Sequence, residues 1–365
     1  MTAVLDTDFP APHGIRAGAF GNATHLVCRE CGETAPLGPF YACMECFGPL
    51  QVGYEFPAIS REQIEAGPRS IWRYAPLLPV PADIATFRST DPGFTRLVDA
   101  RNLADDLGLR KLWVKDDSGN PTHSFKDRVV AVAVARARAF GLSTVACAST
   151  GNLAGATAAA AAAQGLECVV VIPADLEAGK IASAAAFGAT VVAVEGSYDQ
   201  ANRLSMQAVE AFGWGFVNVN LRPWYAEGSK TVGLEVAEQL GWSLPDHVVV
   251  PIASGALLTK VHQGFGVLAD HGLVERTPAR VHGAQSVGCS PVATAFAAGV
   301  DEVTPVRPSG IVKSLAIGDP ADGAEALATV RGTGGRIEAV DDDEVVEAIG
   351  LLARTTGVFG ETAAG

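Results

Sequence analysis

The sequence predicts two doubly wound α/β domains built on parallel sheets, joined to a small N-terminal metal-binding ribbon. Three observations carry this. From Lys111 onward, short Val- and Ile-rich runs alternate with longer segments of helical periodicity. Such runs mark parallel strands covered on both faces. Glycine is abundant, 40 residues in 365, as tight strand-to-helix turns require. Four of the seven cysteines fall into two matched pairs near the N-terminus.

The elements follow in chain order. The opening residues, MTAVLDTDFPAPHG, lack the charged-then-apolar pattern of a secretory signal. Cys28-x-x-Cys31 and Cys43-x-x-Cys46 are separated by eleven residues, with Gly32 and Gly48 just behind each second cysteine. Each pair suits a knuckle that aims two thiolates at one point, and two knuckles complete a tetrahedron around Zn²⁺. Disulfides are disfavoured in a reducing cytosol, and unrelated core cysteines would not come in matched pairs. With all four positions cysteine, the site is expected to be closed and structural. Cys147, Cys168 and Cys289 stand alone and read as small buried hydrophobes.

The ribbon is expected to span 1–56. A segment with Pro57, Pro68, Pro76, Pro79 and Pro81 follows and reads as a wrapping linker. Strands are expected at 111–115, 143–148, 167–172, 190–195, 215–219, 247–252, 280–285 and 336–340. Helices are expected at 151–164, 178–187, 198–212, 228–240 and 342–356, with another from Phe125. The apolar-looking run Ala158–Ala163 is alanine, well short of the ~20 strongly apolar residues of a membrane span. A net charge of −13 without a basic tract makes nucleic acid and anionic membranes poor partners. The expected compartment is the cytoplasm.

In such folds ligands collect at the carboxyl ends of strands, where helix N-termini attract anions. Ser149-Thr-Gly-Asn152 opens one helix with hydroxyls, a glycine and an amide, a set suited to a carboxylate, although an ordinary capping turn has the same residues. Ala253-Ser-Gly-Ala-Leu257 opens another with small side chains that let backbone N–H groups approach a phosphate. In NPTHSFKDR (120–128), Lys126 falls in the first turn of a helix, where the macrodipole disfavours a cation. A solvated surface lysine tolerates that position at small cost. An amine with a nucleophilic role also uses it.

Taken together, NPTHSFKDR, STGN, AEGSKT (226–231), PIASGALL and the closing GVFGETAAG resemble the fold-type II pyridoxal-phosphate enzymes. Within them the sequence is similar to the threonine synthases, in the subgroup with an N-terminal four-cysteine ribbon. The resemblance implies a large cofactor domain from 57–132 and 225–365, and a small mobile α/β domain from 133–224. It implies pyridoxal 5'-phosphate held covalently by Lys126, with Asn152 on the cofactor's 3' oxygen and Ala253, Ser254, Gly255, Ala256 and Leu257 around its phosphate. Thr362 is placed at the pyridine nitrogen, where a neutral hydroxyl favours elimination and replacement chemistry. Ser149, Thr150 and Asn152 are implied to hold a substrate carboxylate.

The implied reaction converts O-phospho-L-homoserine and water to L-threonine and phosphate by γ-elimination and β-addition. Asn120, Thr122, Arg128, Arg222 and Lys230 are candidates for the substrate phosphate, and a homodimer is expected. His123 stands where many relatives have Gly, and Ala253, Ser254 and Ala256 where many have Gly or Asn, variants that fit the ribbon-bearing subgroup. The family pattern continues beyond Thr362 with another helix and strand. Cysteate synthase-like β-replacement and threonine dehydratase-like chemistry are the alternatives, followed by a non-catalytic binding protein that uses the ribbon for contacts.

Overall fold

The computed structural model describes residues 18–87, 89–149, 151–174, 178–195, 198–276 and 279–365. Strands β1 (Ala23–Cys28), β2 (Thr34–Ala35) and β3 (Leu50–Tyr54) form an antiparallel sheet in the order β2-β1-β3. Period-two alternation turns Leu26, Cys28, Leu50 and Val52 to one buried side. There they join the cluster that contains Val130, Phe140 and Trp224.

The proline-rich stretch carries α1 (Arg61–Glu65), started by a capping box between Ser60 and Gln63, and a 3₁₀ turn at Ile71–Leu77. Its apolar residues, including Ile64, Trp72, Leu78 and Ile84, are buried as a strap in a second core cluster. Next come β4 (Arg96–Asp99), α2 (Arg101–Asp106), β5 (Trp113–Asp116) and α3 (Lys126–Ala139). The strand expected at 111–115 is β5, but it pairs antiparallel with β4 and joins no parallel sheet. Helix α3 is buried all round from Asp127 to Ala137. Val130, Ala133, Val134 and Ala137 face the ribbon cluster, while Ala131, Val132 and Ala135 face the strap. That division is the 3.6-residue period at work.

The next unit is β6 (Thr144–Ala148), α4 (Asn152–Gln164), β7 (Glu167–Pro173), α5 (Ala178–Ala186), β8 (Thr190–Val194), α6 (Tyr198–Phe212) and β9 (Gly215–Phe216). Its parallel sheet has the order β8-β7-β6-β9. The chain steps outward from β6 to β8 and returns on the far side at β9, so the switch point lies beside β6. The strand expected at 215–219 stops at Phe216. Asn220 accepts the Phe216 N–H at 2.8 Å and donates to the Trp214 carbonyl at 3.2 Å, which curls the chain away. In α4 the small side chains from Ala154 to Ala161 are buried, and the helix packs against α3 and β7.

The last unit runs α7 (Arg222–Glu227), α8 (Lys230–Gln239), β10 (His247–Pro251), α9 (Ala256–Asp270), β11 (Arg280–Ser286), α10 (Pro291–Ala298), α11 (Gly323–Gly332), β12 (Ile337–Val340) and α12 (Asp342–Thr356). Strands β10, β11 and β12 are parallel, in that order. Helices α8 and α9 touch backbone to backbone, because a Cβ on Gly233 would lie 2.6 Å from the Val261 carbonyl oxygen. Among the described residues no helix is long and apolar enough to cross a membrane.

Candidate active site

Helix α3 leads into β6 through a short turn and α4 leaves from it, so both helices run against the strand. Their N-termini therefore meet at the carboxyl end of β6, beside the switch point. The loop before α3 is tightly braced. Asn120 is buried; its side chain accepts the Gly93 N–H at 2.8 Å and donates to the Ser124 carbonyl at 3.0 Å. Thr122 gives its N–H and hydroxyl to the Asp127 carboxylate at 2.9 Å. His123 sits at φ 60°, in the left-handed region that glycine enters most readily. Ser124 Oγ accepts the Lys126 N–H at 3.2 Å. Lys126 is half-buried, and among the described residues its ammonium has no carboxylate partner.

At the start of α4, Gly151 provides no side-chain cap; the Ala154 N–H turns back to the Gly151 carbonyl at 2.9 Å, and the Asn152 and Leu153 N–H groups have no side-chain cap among the described residues. Ser149 Oγ accepts the Gly151 N–H at 3.3 Å; Thr150 lies outside the described residues. Asn152 donates to Glu361 Oε1 at 2.9 Å across 209 positions. This contact brings the closing segment, with half-buried Thr362, to the same helix end. Glu361 was missed by sequence reasoning. It is part of GVFGETAAG, but nothing local marks an acid that bridges to a distant amide.

The second anion cradle follows β10. Gly255 caps α9 at φ 98° and has no side chain to bond the first turn; the Ser254 hydroxyl accepts the Ala256 N–H at 3.4 Å, and the next N–H groups of that turn have no side-chain cap among the described residues. Ala253, Ser254, Ala256 and Leu257 are half-buried around it. The backbone of Gly255 lies directly on Asp322, whose carbonyl oxygen would be 2.5 Å from a Cβ at position 255. The Asp322 N–H donates to the Ser254 carbonyl at 2.9 Å. A short turn with small side chains at an uncapped helix N-terminus fits a phosphate monoester.

The candidate cations separate clearly. Arg128 is fully buried, and all five of its N–H donors are used by Asp117, Glu235, Thr95 and Thr231. It is structural and leaves the list of phosphate ligands. Lys230 is 3 % exposed. It pairs with Glu227 at 2.5 Å, donates to the Leu77 carbonyl at 3.2 Å and lies 4.3 Å from the Tyr54 ring centre. Lys260 reaches the other Glu227 oxygen at 2.6 Å. Burial alone would push the Glu227 carboxyl up, but the two lysines outweigh it and hold the pKa at about 2. In this arrangement the Lys230 ammonium is committed to protein, and Asn120 is likewise spent. Arg222 keeps a partly exposed guanidinium, paired with Asp322 at 2.5 Å. Lys230→Ala is therefore expected to cost roughly 2–3 kcal/mol in urea denaturation, because Glu227 keeps only one of its two cations.

The four ribbon sulfurs lie within 4.8 Å of one another. Cys28–Cys46 and Cys31–Cys46 are 3.4 Å apart and Cys31–Cys43 3.7 Å, too far for disulfides. Sulfurs around a tetrahedral Zn²⁺ stand ~3.8 Å apart, close to what is seen. Backbone N–H groups of Glu30, Glu45 and Gly48 point at three of them, a donor set that stabilises thiolates. Cys147 lies in the core away from the ribbon, where burial pushes its thiol up to about 12.

Residues 88–365 match the family model described as pyridoxal-phosphate dependent enzyme. The threonine synthase of Methanocaldococcus jannaschii is 35 % identical over 342 residues, 92 % of this chain and 84 % of that protein. The threonine synthase of Methanosarcina acetivorans is 36 % identical over 344 residues, 93 % of this chain and 84 % of that one. Among solved structures, threonine deaminase isoform 2 from Solanum lycopersicum superposes with a TM-score of 0.65 at 20 % identity. It covers 85 % of this chain and 78 % of that one. Maize serine racemase gives a TM-score of 0.59 at 23 % identity, covering 84 % and 89 %. These two likenesses establish the fold.

Proposed function

The chain belongs to the pyridoxal-phosphate dependent enzymes, and from that membership we propose that it is a lyase that converts O-phospho-L-homoserine and water to L-threonine and phosphate. The observation that carries this reading is the match to threonine synthases over 92 % and 93 % of the chain, which extends beyond the part shared with the wider family.

The residues fit the cofactor: a lysine without a carboxylate partner, an amide at a helix end, and an uncapped N-terminus lined by small side chains. When bound, the cofactor supplies an aldehyde for the substrate amine and a ring that spreads the electron pair left by a departing proton. Lys126 would hold it covalently, and its free amine would move the Cα proton of the substrate. The α9 N-terminus would hold its phosphate, Asn152 its 3' oxygen, and Thr362 its ring nitrogen. Ser149, Thr150 and the first-turn N–H groups of α4 hold the substrate carboxylate. Arg222, whose guanidinium stays partly exposed, is assigned to the substrate phosphate; Thr122 gives both of its donors to Asp127 and is left out of that role. In the net reaction the Cγ–O bond breaks and phosphate leaves, one Cβ–H bond is lost and the hydroxyl of water takes its place at Cβ, and Cγ gains the proton that makes the methyl group.

The segment 133–224 is proposed as the moving domain, in a homodimeric cytoplasmic enzyme. Phosphate release from phosphohomoserine, compared with phosphoserine and with ammonia release from threonine, tests the assignment. Release from phosphoserine alone would replace it with β-replacement chemistry.

Zn²⁺ is assigned to Cys28, Cys31, Cys43 and Cys46. Elemental analysis is expected to find one zinc per chain. Cys43→Ser should lose it and loosen the ribbon more than it slows turnover, since the site has no open coordination position.

A further inference from the structure

Resting on the cofactor reading above, we propose that Arg29, held inside the four-cysteine knuckle, is a positioning residue for the cofactor-phosphate cradle and acts through Asp322. Arg29 follows Cys28 directly, and its backbone N–H is fixed to the Pro49 carbonyl at 3.0 Å. Its guanidinium leaves the ribbon and reaches Asp322 Oδ1 at 2.6 Å, with Glu325 on its other nitrogen. Asp322 is the residue before α11, yet its carboxylate makes no cap bond to that helix. It is turned to the arginines instead, and Arg222 takes its second oxygen. The backbone of the same residue carries the cradle, through its N–H to Ser254 and its carbonyl packed on Gly255.

A second ribbon anchor runs in parallel. Tyr54, the last residue of β3, donates to Glu227 at 2.5 Å, and Glu227 grips Lys260 on α9. One anchor ends on the turn that opens α9 and the other on Lys260 in its second turn. The metal knuckle sets the direction of Arg29, Arg29 sets Asp322, and Asp322 sets the turn whose N–H groups face the phosphate. A displacement of that turn by even 1 Å misaims several donors at once.

The test is a titration of the apo chain with pyridoxal phosphate followed by visible absorption, with zinc counted by elemental analysis. Arg29→Ala is expected to weaken cofactor binding ~10-fold, the scale of losing a charged group that orients a site from behind, with zinc retained. Arg29→Lys, which reaches one carboxylate but not two, should recover part of the loss. Glu325→Gln, which touches only the other branch, should stay within about two-fold of the parent. Removing zinc by chelation should weaken cofactor binding in the parent but add little in Arg29→Ala, since both changes cut one path. If Arg29→Ala loses its zinc or fails to fold, Asp322→Asn gives the same reading with the ribbon untouched. Unchanged cofactor affinity in a zinc-loaded Arg29→Ala or in Asp322→Asn overturns the proposal, as does a chelation effect equal in parent and variant. A parent chain that binds no cofactor at all would instead overturn the cofactor reading itself.

Discussion

Lys126→Ala is expected to abolish both turnover and the borohydride-stable attachment of cofactor to the chain. The turnover loss should reach at least a thousand-fold, since one amine is asked both to hold the cofactor and to move a proton. The structure narrows the choice of lysine. Lys115, Lys230 and Lys260 are each in contact with a buried carboxylate, at 2.7, 2.5 and 2.6 Å. An amine bonded to an acid inside the protein is not free to attack a carbonyl. Among the described residues, Lys126 alone of these four has no such partner. Cofactor should still be retained, non-covalently, through the α9 turn, so peptide mapping after reduction is the decisive readout. Finding the label on Lys115 or Lys230 would end the assignment.

Much of this was legible in the sequence because it depends on local pattern. The runs at 144–148, 167–173 and 280–286 end within a residue or two of their Val-rich stretches, and the Cys-x-x-Cys spacing foretold four converging sulfurs. Contacts between distant polar residues were not legible. Arg128, inside NPTHSFKDR, looked like a phosphate ligand because its spacing says nothing of Glu235, which is 107 positions away. Lys230 and Arg29 misled in the same way or went unnoticed. An ion pair has no periodicity, and its partners are chosen by packing. The proline-rich stretch was hidden for a different reason. Its buried residues occur in short turns whose apolar order follows neither the helical nor the strand period.

The buried network around Arg128 carries the second large expectation. Glu235 is fully buried, receives Arg128 at 2.6 Å and Lys115 at 2.7 Å, and accepts the Phe94 N–H at 2.7 Å. Asp117 holds the other side of the same guanidinium at 2.7 Å. Glu235→Ala leaves fully buried Arg128 and half-buried Lys115 with one carboxylate between them, and is expected to cost about 3–5 kcal/mol. Against a total stability of about 5–15 kcal/mol, that is a large share, visible as an early urea midpoint. A loss below about 1 kcal/mol would show that Asp117 alone satisfies the arginine.

The pH dependence supplies an independent check of sign. Burial alone would raise the pKa of Glu235 and Asp117, but the Arg128 charge outweighs it and holds both carboxyls below their ordinary values. A carboxyl with a depressed folded pKa contributes stability that is complete above its unfolded pKa, about 4.3 for Glu and 3.9 for Asp. That contribution is lost as pH falls through the folded value, where the unfolded chain already binds the proton. The parent should therefore lose stability steeply below about pH 4. Glu235→Gln, which keeps the shape and cannot ionise, should start lower at neutral pH and fall with a shallower slope. Parallel acid limbs for the two proteins would mean that Glu235 ionises alike in the folded and unfolded chains, and the network would not be the clamp that its geometry describes.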